Sequence, residues 1–527
     1  MTVFAAQTLP LTVVGVLVGV TLVLTWYAAQ RNKDTGDHYV AGRRIGAFGN
    51  GLALAGDQIS AASFLGITGA IALTGFNGWW LIIGMPIAYV LVLLLVAEPL
   101  RKLGKYTLAD VIATRFGSPA LRGSIALATI IMTIIYMTVQ FIGAGLIAGA
   151  LLGVDFAVAV LILGALMTLY TVLGGMVAAT YIQIFKTSLL AVMVLAVFVA
   201  VIKRTGWNPI GPMLDATDSF GEKVVTPDRS DMTASLNSLS LTVGLTLGIM
   251  GLPHVMLRFL TVRDARAARN SAAVAISIFM CFFLLLPIFG YAALNEIGKK
   301  AIVAANPAGN SAGPMLAEKV GGDVLYALVA GVTIATILAV LAGMAIAVSG
   351  AVAHDLYTNV IKKGHVDERG QLISGRIAGA IAACIAIALA FGAKDLNIAN
   401  VANVAFAIAA STTMPTLLLT IYWRRFNQVG ALSTMIGGLV LSLVLVLLGP
   451  DVMGKDDAVW PLAIPALVSV PASFLFAYVG TLVGAGRVGS TGMPYDEFEA
   501  RAFAPDEVAS SGRFTRRARE PERVGAA

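Results

Sequence analysis

Two ionisable side chains, Asp57 and Lys186, lie deep inside long apolar stretches of this 527-residue chain. A charge at that depth costs about 2.5–3.5 kcal/mol even on insertion scales, so it must be paired, hydrated in a cavity or put to chemical use. A carboxylate there can hold a cation or a partner charge. An ammonium there can stand in for a bound cation or carry a proton. The simpler alternatives are a helix-capping role for Asp57 and snorkelling of Lys186 to the headgroups. If Lys186 instead faces the bundle, it either pairs with Asp57 or fills a cation site. His254 follows Pro253 near the end of another apolar stretch, as a structural residue or a proton relay. Gln140 and Tyr136 are spaced i, i+4 on one helix face, as polar glue between helices or as a substrate contact.

The elements carrying these residues are themselves unusual. One stretch reads Gly56-Asp57-Gln58-Ile59-Ser60-Ala61-Ala62-Ser63-Phe64-Leu65-Gly66, with polar residues at its centre between small ones. Another contains Gly244, Thr246, Gly248, Gly251 and Pro253 in succession. Backbone in hydrocarbon must satisfy its own hydrogen bonds, so a segment that unwinds there has to line a cavity inside the protein. Small residues that merely let helices approach closely are the alternative.

Composition sets the solvent. Hydrophobic residues make up 58% of the chain and charged residues 12%, against roughly 25% charged in soluble domains. A bilayer has to cover that apolar surface. Runs of about 20 apolar residues place thirteen spans near 9–29, 46–73, 79–97, 123–151, 156–174, 178–202, 236–257, 271–296, 324–352, 375–393, 398–422, 430–449 and 460–484. The fold class is therefore an all-α integral membrane protein. The first run has no basic residue before it and Arg31 and Lys33 after it, the pattern of an uncleaved span. Cys281 and Cys384 fall inside apolar runs and read as small core residues.

An odd number of spans puts the termini on opposite sides. The loops and tail on one side hold 26 Lys and Arg residues and those on the other hold nine, and Lys186 completes the 36. The positive-inside rule then puts the N-terminus outside and the C-terminus in the cytoplasm of a bacterial inner membrane. A cysteine placed at Ser230 is expected to be labelled from outside. The basic residues are scattered through short loops, which argues against nucleic acid as a partner. Residues 1–484 form the membrane domain. The tail 485–527, rich in Arg, Glu, Pro and Ser, is expected to be disordered.

The two interrupted stretches begin two runs of five spans, 2–6 and 7–11. Five is odd, so the second run has inverted topology, and paired interruptions in two such halves point to a transporter's binding site. No nucleotide loop, zinc-ligand spacing or nucleophile elbow is found. Neither an enzyme nor a cofactor is indicated, and no metal site is assigned.

The run 56–66 resembles the second-helix signature of the sodium:solute symporter family. Gly251-Leu252-Pro253-His254-Val255-Met256-Leu257-Arg258-Phe259 and His354-Asp355-Leu356-Tyr357 resemble that family too. Ala335–Gly343 and Tyr181-Ile182-Gln183-Ile184-Phe185-Lys186 are similar to its acetate permease and monocarboxylate transporter branch. The resemblance covers roughly residues 37–480. It implies a LeuT-type inverted-repeat fold, alternating access and symport of a small carboxylate such as acetate, propionate, pyruvate or glycolate with a cation. A solute sensor, or a sodium-coupled symporter of another small organic solute, is the competing reading.

The resemblance also implies where ligands sit. Substrate is expected at Asp57, Gln58, Ser60, Ser63, Gln140, Thr246, Gly248 and Gly251. The family's sodium ligands fall on the carbonyls of Gly56, Ile59 and Thr336 and on hydroxyls at positions 339 and 340. Here those last two are Ala339 and Val340, which have no oxygen to offer a hard cation. A second sodium site needs a carboxylate where this chain has Gln183. The expectation is that Lys186 replaces sodium electrostatically and that protons drive transport.

Overall fold

The computed structural model describes residues 2–30, 34–60, 62–227, 232–454, 456–486 and 492–504. Ser230 lies outside them. Among the described residues the structure is helical, with one isolated backbone bridge between Ile45 and Val262.

Eleven helical stretches are long and apolar enough to cross a membrane. The thirteen expected passes are all present as helices, and the count differs for two physical reasons. One stretch, Ser63–Leu95, joins the second half of span 2 to span 3, and span 5 contributes only the shorter apolar helix Phe156–Thr168. Spans 5 and 6 form one continuous helical stretch, Phe156–Arg204, of 49 residues. If straight it would be about 74 Å long, more than twice the hydrocarbon thickness. It breaks at Gly175, where φ is 58°, a conformation that a residue without Cβ adopts at little steric cost.

Both interrupted spans are broken as the glycines and polar residues predict. In span 2 the first helix, Ala47–Gln58, stops at Ile59 (ψ 85°), and a wide turn at Ala62–Ile67 leads into Thr68–Thr74. In span 7, Met232–Gly248 passes through the tight turn Ile249–Gly251 to an extended Leu252 (ψ 117°), and helix restarts at Pro253–Leu260. Proline at that restart costs nothing, because the first helical N–H has no intrahelical acceptor. The two broken spans are tied at their ends. Ile45 N donates to Thr261 O (3.2 Å), and Thr261 Oγ1 donates to Asn50 Oδ1 (3.0 Å).

Two expectations are corrected. Cys281 and Cys384 are exposed on the outer faces of spans 8 and 10; an apolar run does not say which of its faces meets lipid. The tail is not disordered throughout, because Tyr495–Phe503 forms a helix with Phe498 and Ala502 fully buried. Lys102 Nζ donates to Ala504 O (2.6 Å) and Met493 N to Thr114 O (2.9 Å). Arg115 lies 4.5 Å over the Tyr495 ring. Residues 505–527 lie outside the described set.

Candidate functional site

The break in span 2 frees the last carbonyls of its first helix, and Lys186 from span 6 satisfies them. Its Nζ donates to Gly56 O and to Ile59 O, the latter at 3.3 Å. The side chain is fully buried, which excludes snorkelling. The position is enforced by close packing: a Cβ at Gly56 would lie 2.6 Å from Gln183 Oε1 and 2.4 Å from Thr187 Oγ1. Residue 56 must be glycine for span 6 to bring Lys186 and Gln183 against the break.

Asp57, one residue on, does not pair with Lys186. Its carboxylate accepts from Arg258 Nε (2.6 Å), Arg258 Nη2 (3.2 Å) and Gln183 Nε2 (2.5 Å). Arg258 Nη1 donates in turn to Thr180 Oγ1 (2.8 Å). Asp57 and Arg258 are 2% and 1% exposed. Gly343 of span 9 closes the cluster, since a Cβ there would sit 3.5 Å from Arg258 Nη2. The carboxylate therefore cross-links the two broken spans and does not cap a helix. Arg258, just beyond the expected end of span 7 at residue 257, belongs to its restarted helix, which turns it inward. Its spacing of i, i+4 from His254 on an eight-residue helix was the available signal.

A second group of residues lines a small, partly open hollow beside the break. Gln58 and Ser63 line it, with Tyr136 of span 4, Leu245 of span 7, and Asn403 and Phe406 of span 11. Ser63 Oγ accepts from Ser60 N (2.8 Å) and is placed to donate to Ser60 O (2.9 Å). The Ser60 and Tyr136 hydroxyls are 3.4 Å apart. Tyr136 stacks on His254, with ring centroids 5.4 Å apart. The amide atoms of Gln58 and Gln140 and both ring nitrogens of His254 are buried without a hydrogen-bond partner among the described residues. Buried polar atoms in that condition are uncommon and call for a ligand or water.

The expected substrate positions therefore separate. Gln58 and Ser63 line the cavity, and Ser60 touches its Tyr136 wall. Thr246 donates to Gly84 O (3.4 Å). Gly248 and Gly251 pack on span 11, where added Cβ atoms would lie 2.2 Å from Phe406 O and 2.4 Å from Thr413 Oγ1. These three serve helix contacts. Thr336 Oγ1 is buried without a partner among the described residues, and Ala339 is buried in span 9. Nothing in the sequence singles out Asn403 over Asn400, three residues earlier in span 11, or marks Phe406.

A separate polar cluster sits where the basic loops gather. Asp110 Oδ1 accepts from Arg122 Nη1 (2.7 Å) and lies 3.1 Å from His354 Nε2; Arg122 Nη1 also reaches Asp355 Oδ1 (2.7 Å). Asp110, His354 and Asp355 are close enough to share a metal ion. The Arg122 guanidinium bridges both carboxylates, however, and neutralises the charge that would attract one. Burial pushes the Asp110 carboxyl up, but the His354 hydrogen bond and the His354 and Arg122 charges outweigh it, holding it well below the usual range.

Helical passes gathered around two broken spans, with a charged centre at one break, define a secondary transporter of the LeuT-fold, inverted-repeat class. The chain belongs to the sodium:solute symporter family, whose model matches residues 38–438. It is 42% identical over 480 residues to the uncharacterized symporter YwcA of Bacillus subtilis, covering 89% of this chain and 93% of that one. It is 39% identical over 499 residues to a monocarboxylic acid transporter of Corynebacterium glutamicum, covering 90% of each. Its fold is similar to that of a Na+-coupled sialic acid symporter solved substrate-bound and outward-open, with a TM-score of 0.72 at 14% identity, covering 90% of this chain and 98% of that one.

Proposed function

We propose that this protein is a proton-coupled symporter of a small monocarboxylate, acting in a bacterial inner membrane with its N-terminus outside and its C-terminus in the cytoplasm. The observation that carries the coupling is Lys186 Nζ donating to Gly56 O and Ile59 O. Those are the two span-2 carbonyls that the resemblance gives to sodium. A tethered ammonium there supplies the positive charge that holds the two halves of span 2 in register. Positions 339 and 340 no longer need hydroxyls, which accounts for Ala339 and Val340. In the cycle Lys186 gives its proton to water that reaches the site from the cytoplasm and takes another from the opposite side. No covalent chemistry is required, and the protein is not an enzyme.

The cavity suits a short acid. Its walls are mainly apolar, and its free polar groups are amides and hydroxyls rather than charges. The Corynebacterium relative's name, monocarboxylic acid transporter, favours the same class. The test is uptake of labelled acetate and pyruvate into proteoliposomes under an imposed proton or sodium gradient, with Lys186→Gln alongside the natural protein. Proton-driven uptake without sodium, lost in Lys186→Gln, is the expected result. A sodium requirement that survives the substitution intact would overturn the coupling. No uptake with either gradient would favour the sensor reading.

A further inference from the structure

Asn403 offers the cavity an acceptor that a plain carboxylate cannot use. Its side chain is 1% exposed and lines the cavity from span 11. One hydrogen bond fixes which way the amide points. Asn403 Nδ2 donates to Ala399 O at 2.8 Å, one turn back on the same helix. A carbonyl oxygen only accepts, so the nitrogen must be the atom facing Ala399. Asn403 Oδ1 is the outward atom, and it is buried without a partner among the described residues.

A buried amide oxygen left unmet is destabilising, so the site favours an occupant that donates to it. Acetate and propionate, ionised at neutral pH, carry acceptors only. A hydroxyl on the carbon next to the carboxylate is a donor. Gln58, on the wall of the same cavity, has two amide N–H groups, one more than its Tyr89 neighbour can take, to give the carboxylate. The two amides are thus complementary to the two ends of a 2-hydroxy acid: donor to carboxylate, acceptor to hydroxyl.

We propose that Asn403 is a specificity-determining residue, accepting a hydrogen bond from the substrate and favouring 2-hydroxy acids over their unsubstituted counterparts. The inference rests on the carboxylate reading above. It gives a role to Asn403, the buried asparagine of this helix, where Asn400 is exposed.

The experiment compares glycolate with acetate, and lactate with propionate, as matched pairs in proton-driven uptake by proteoliposomes of the full chain. The natural protein is expected to show a KM about 5- to 10-fold lower for the hydroxylated member of each pair, the discrimination one neutral hydrogen bond provides. Asn403→Leu should bring the KM ratio within each pair to near one. Asn403→Ser, whose hydroxyl can donate to Ala399 O and still accept from the substrate, should restore part of it. Equal KM values in the natural protein would overturn the proposal. So would a ratio untouched by Asn403→Leu, or one lost in both variants alike, which would mark a packing role. Absence of uptake of all four acids would instead strike the carboxylate reading, and this inference with it.

Discussion

Arg258 donates two hydrogen bonds to the Asp57 carboxylate, joining the broken region of span 2 to the restarted helix of span 7 across 201 residues of sequence. The pair is buried on both sides. Removing one partner of such a pair leaves the other charge uncompensated, at about 3–5 kcal/mol. Asp57→Asn and Arg258→Met should each lower the thermal midpoint of the purified protein in detergent by several degrees. The double substitution should cost less than the sum of the two. Additive losses would show that the contact contributes little to the fold.

Lys186 makes a different kind of link, from a side chain to carbonyls with no helical partner. Lys186→Met leaves both oxygens unmet, at about 1–3 kcal/mol each. Proton-driven accumulation of the substrate should fall about tenfold or more. Adding Ala339→Ser and Val340→Ser to Lys186→Met should make uptake respond to sodium. Stimulation by sodium of the single Lys186→Met variant would show that the hydroxyls are unnecessary.

Gly248 of span 7 lies against the backbone of Phe406. In Gly248→Ala the new methyl would meet a carbonyl oxygen that cannot move without shifting span 11, a cost of about 1–3 kcal/mol. Because span 11 also carries the cavity wall, the substitution should weaken substrate affinity as well as stability. Isothermal titration of the purified variant measures the first and its thermal midpoint the second.

His38, on the short helix Thr35–Val40 between spans 1 and 2, gives a pH dependence. Burial, helped by the Arg376 charge, pushes its imidazole down from 6.5 to about 4. Between those values the unfolded chain binds a proton that the folded protein refuses, so stability rises with pH there. The contribution of the neutral ring is complete above pH 6.5 and is lost as pH falls toward 4, by roughly 3 kcal/mol at the most. Thermal midpoints recorded across that window should fall with acidity, and His38→Gln should flatten the slope. An unchanged slope would assign the effect to other groups.

Phe498 is the largest buried side chain of the tail helix. Phe498→Ala removes a fully buried ring, at about 3–5 kcal/mol, more than one short helix can spare. Trypsin should then cut at Arg501 much faster than in the natural protein.

The spans and the positions of their breaks were readable because both rest on local rules: apolar length, and glycine, proline or clustered polar residues inside it. For Lys186 the sequence left snorkelling, pairing with Asp57 and a cation site all open, because depth in a span does not say which way a side chain turns. What stayed hidden depends on faces. Arg258 ends an apolar run and so resembles a loop residue until the break at Leu252 rotates it inward. Asn403 shares its helix with Asn400, and nothing local says which of the two faces inward. Tyr495, Phe498 and Ala502 fall on one face of a helix whose other face is acidic, and composition averages that pattern away. Cys281 and Cys384 are the reverse case, exposed residues inside runs whose average is apolar.

The 201 residues between Asp57 and Arg258 also set an order of events during biosynthesis. At ribosomal speeds of about 5–20 residues per second, Arg258 emerges roughly 10–40 s after the carboxylate it will neutralise. Gln183 and Lys186 arrive sooner, since they lie 126 and 129 residues beyond Asp57. The first five-span unit can therefore shelter Asp57 with an amide and a neighbouring ammonium while the second is still being made. The nascent chain holds a provisional partner for its most costly residue, and Arg258 completes the set when the second half docks.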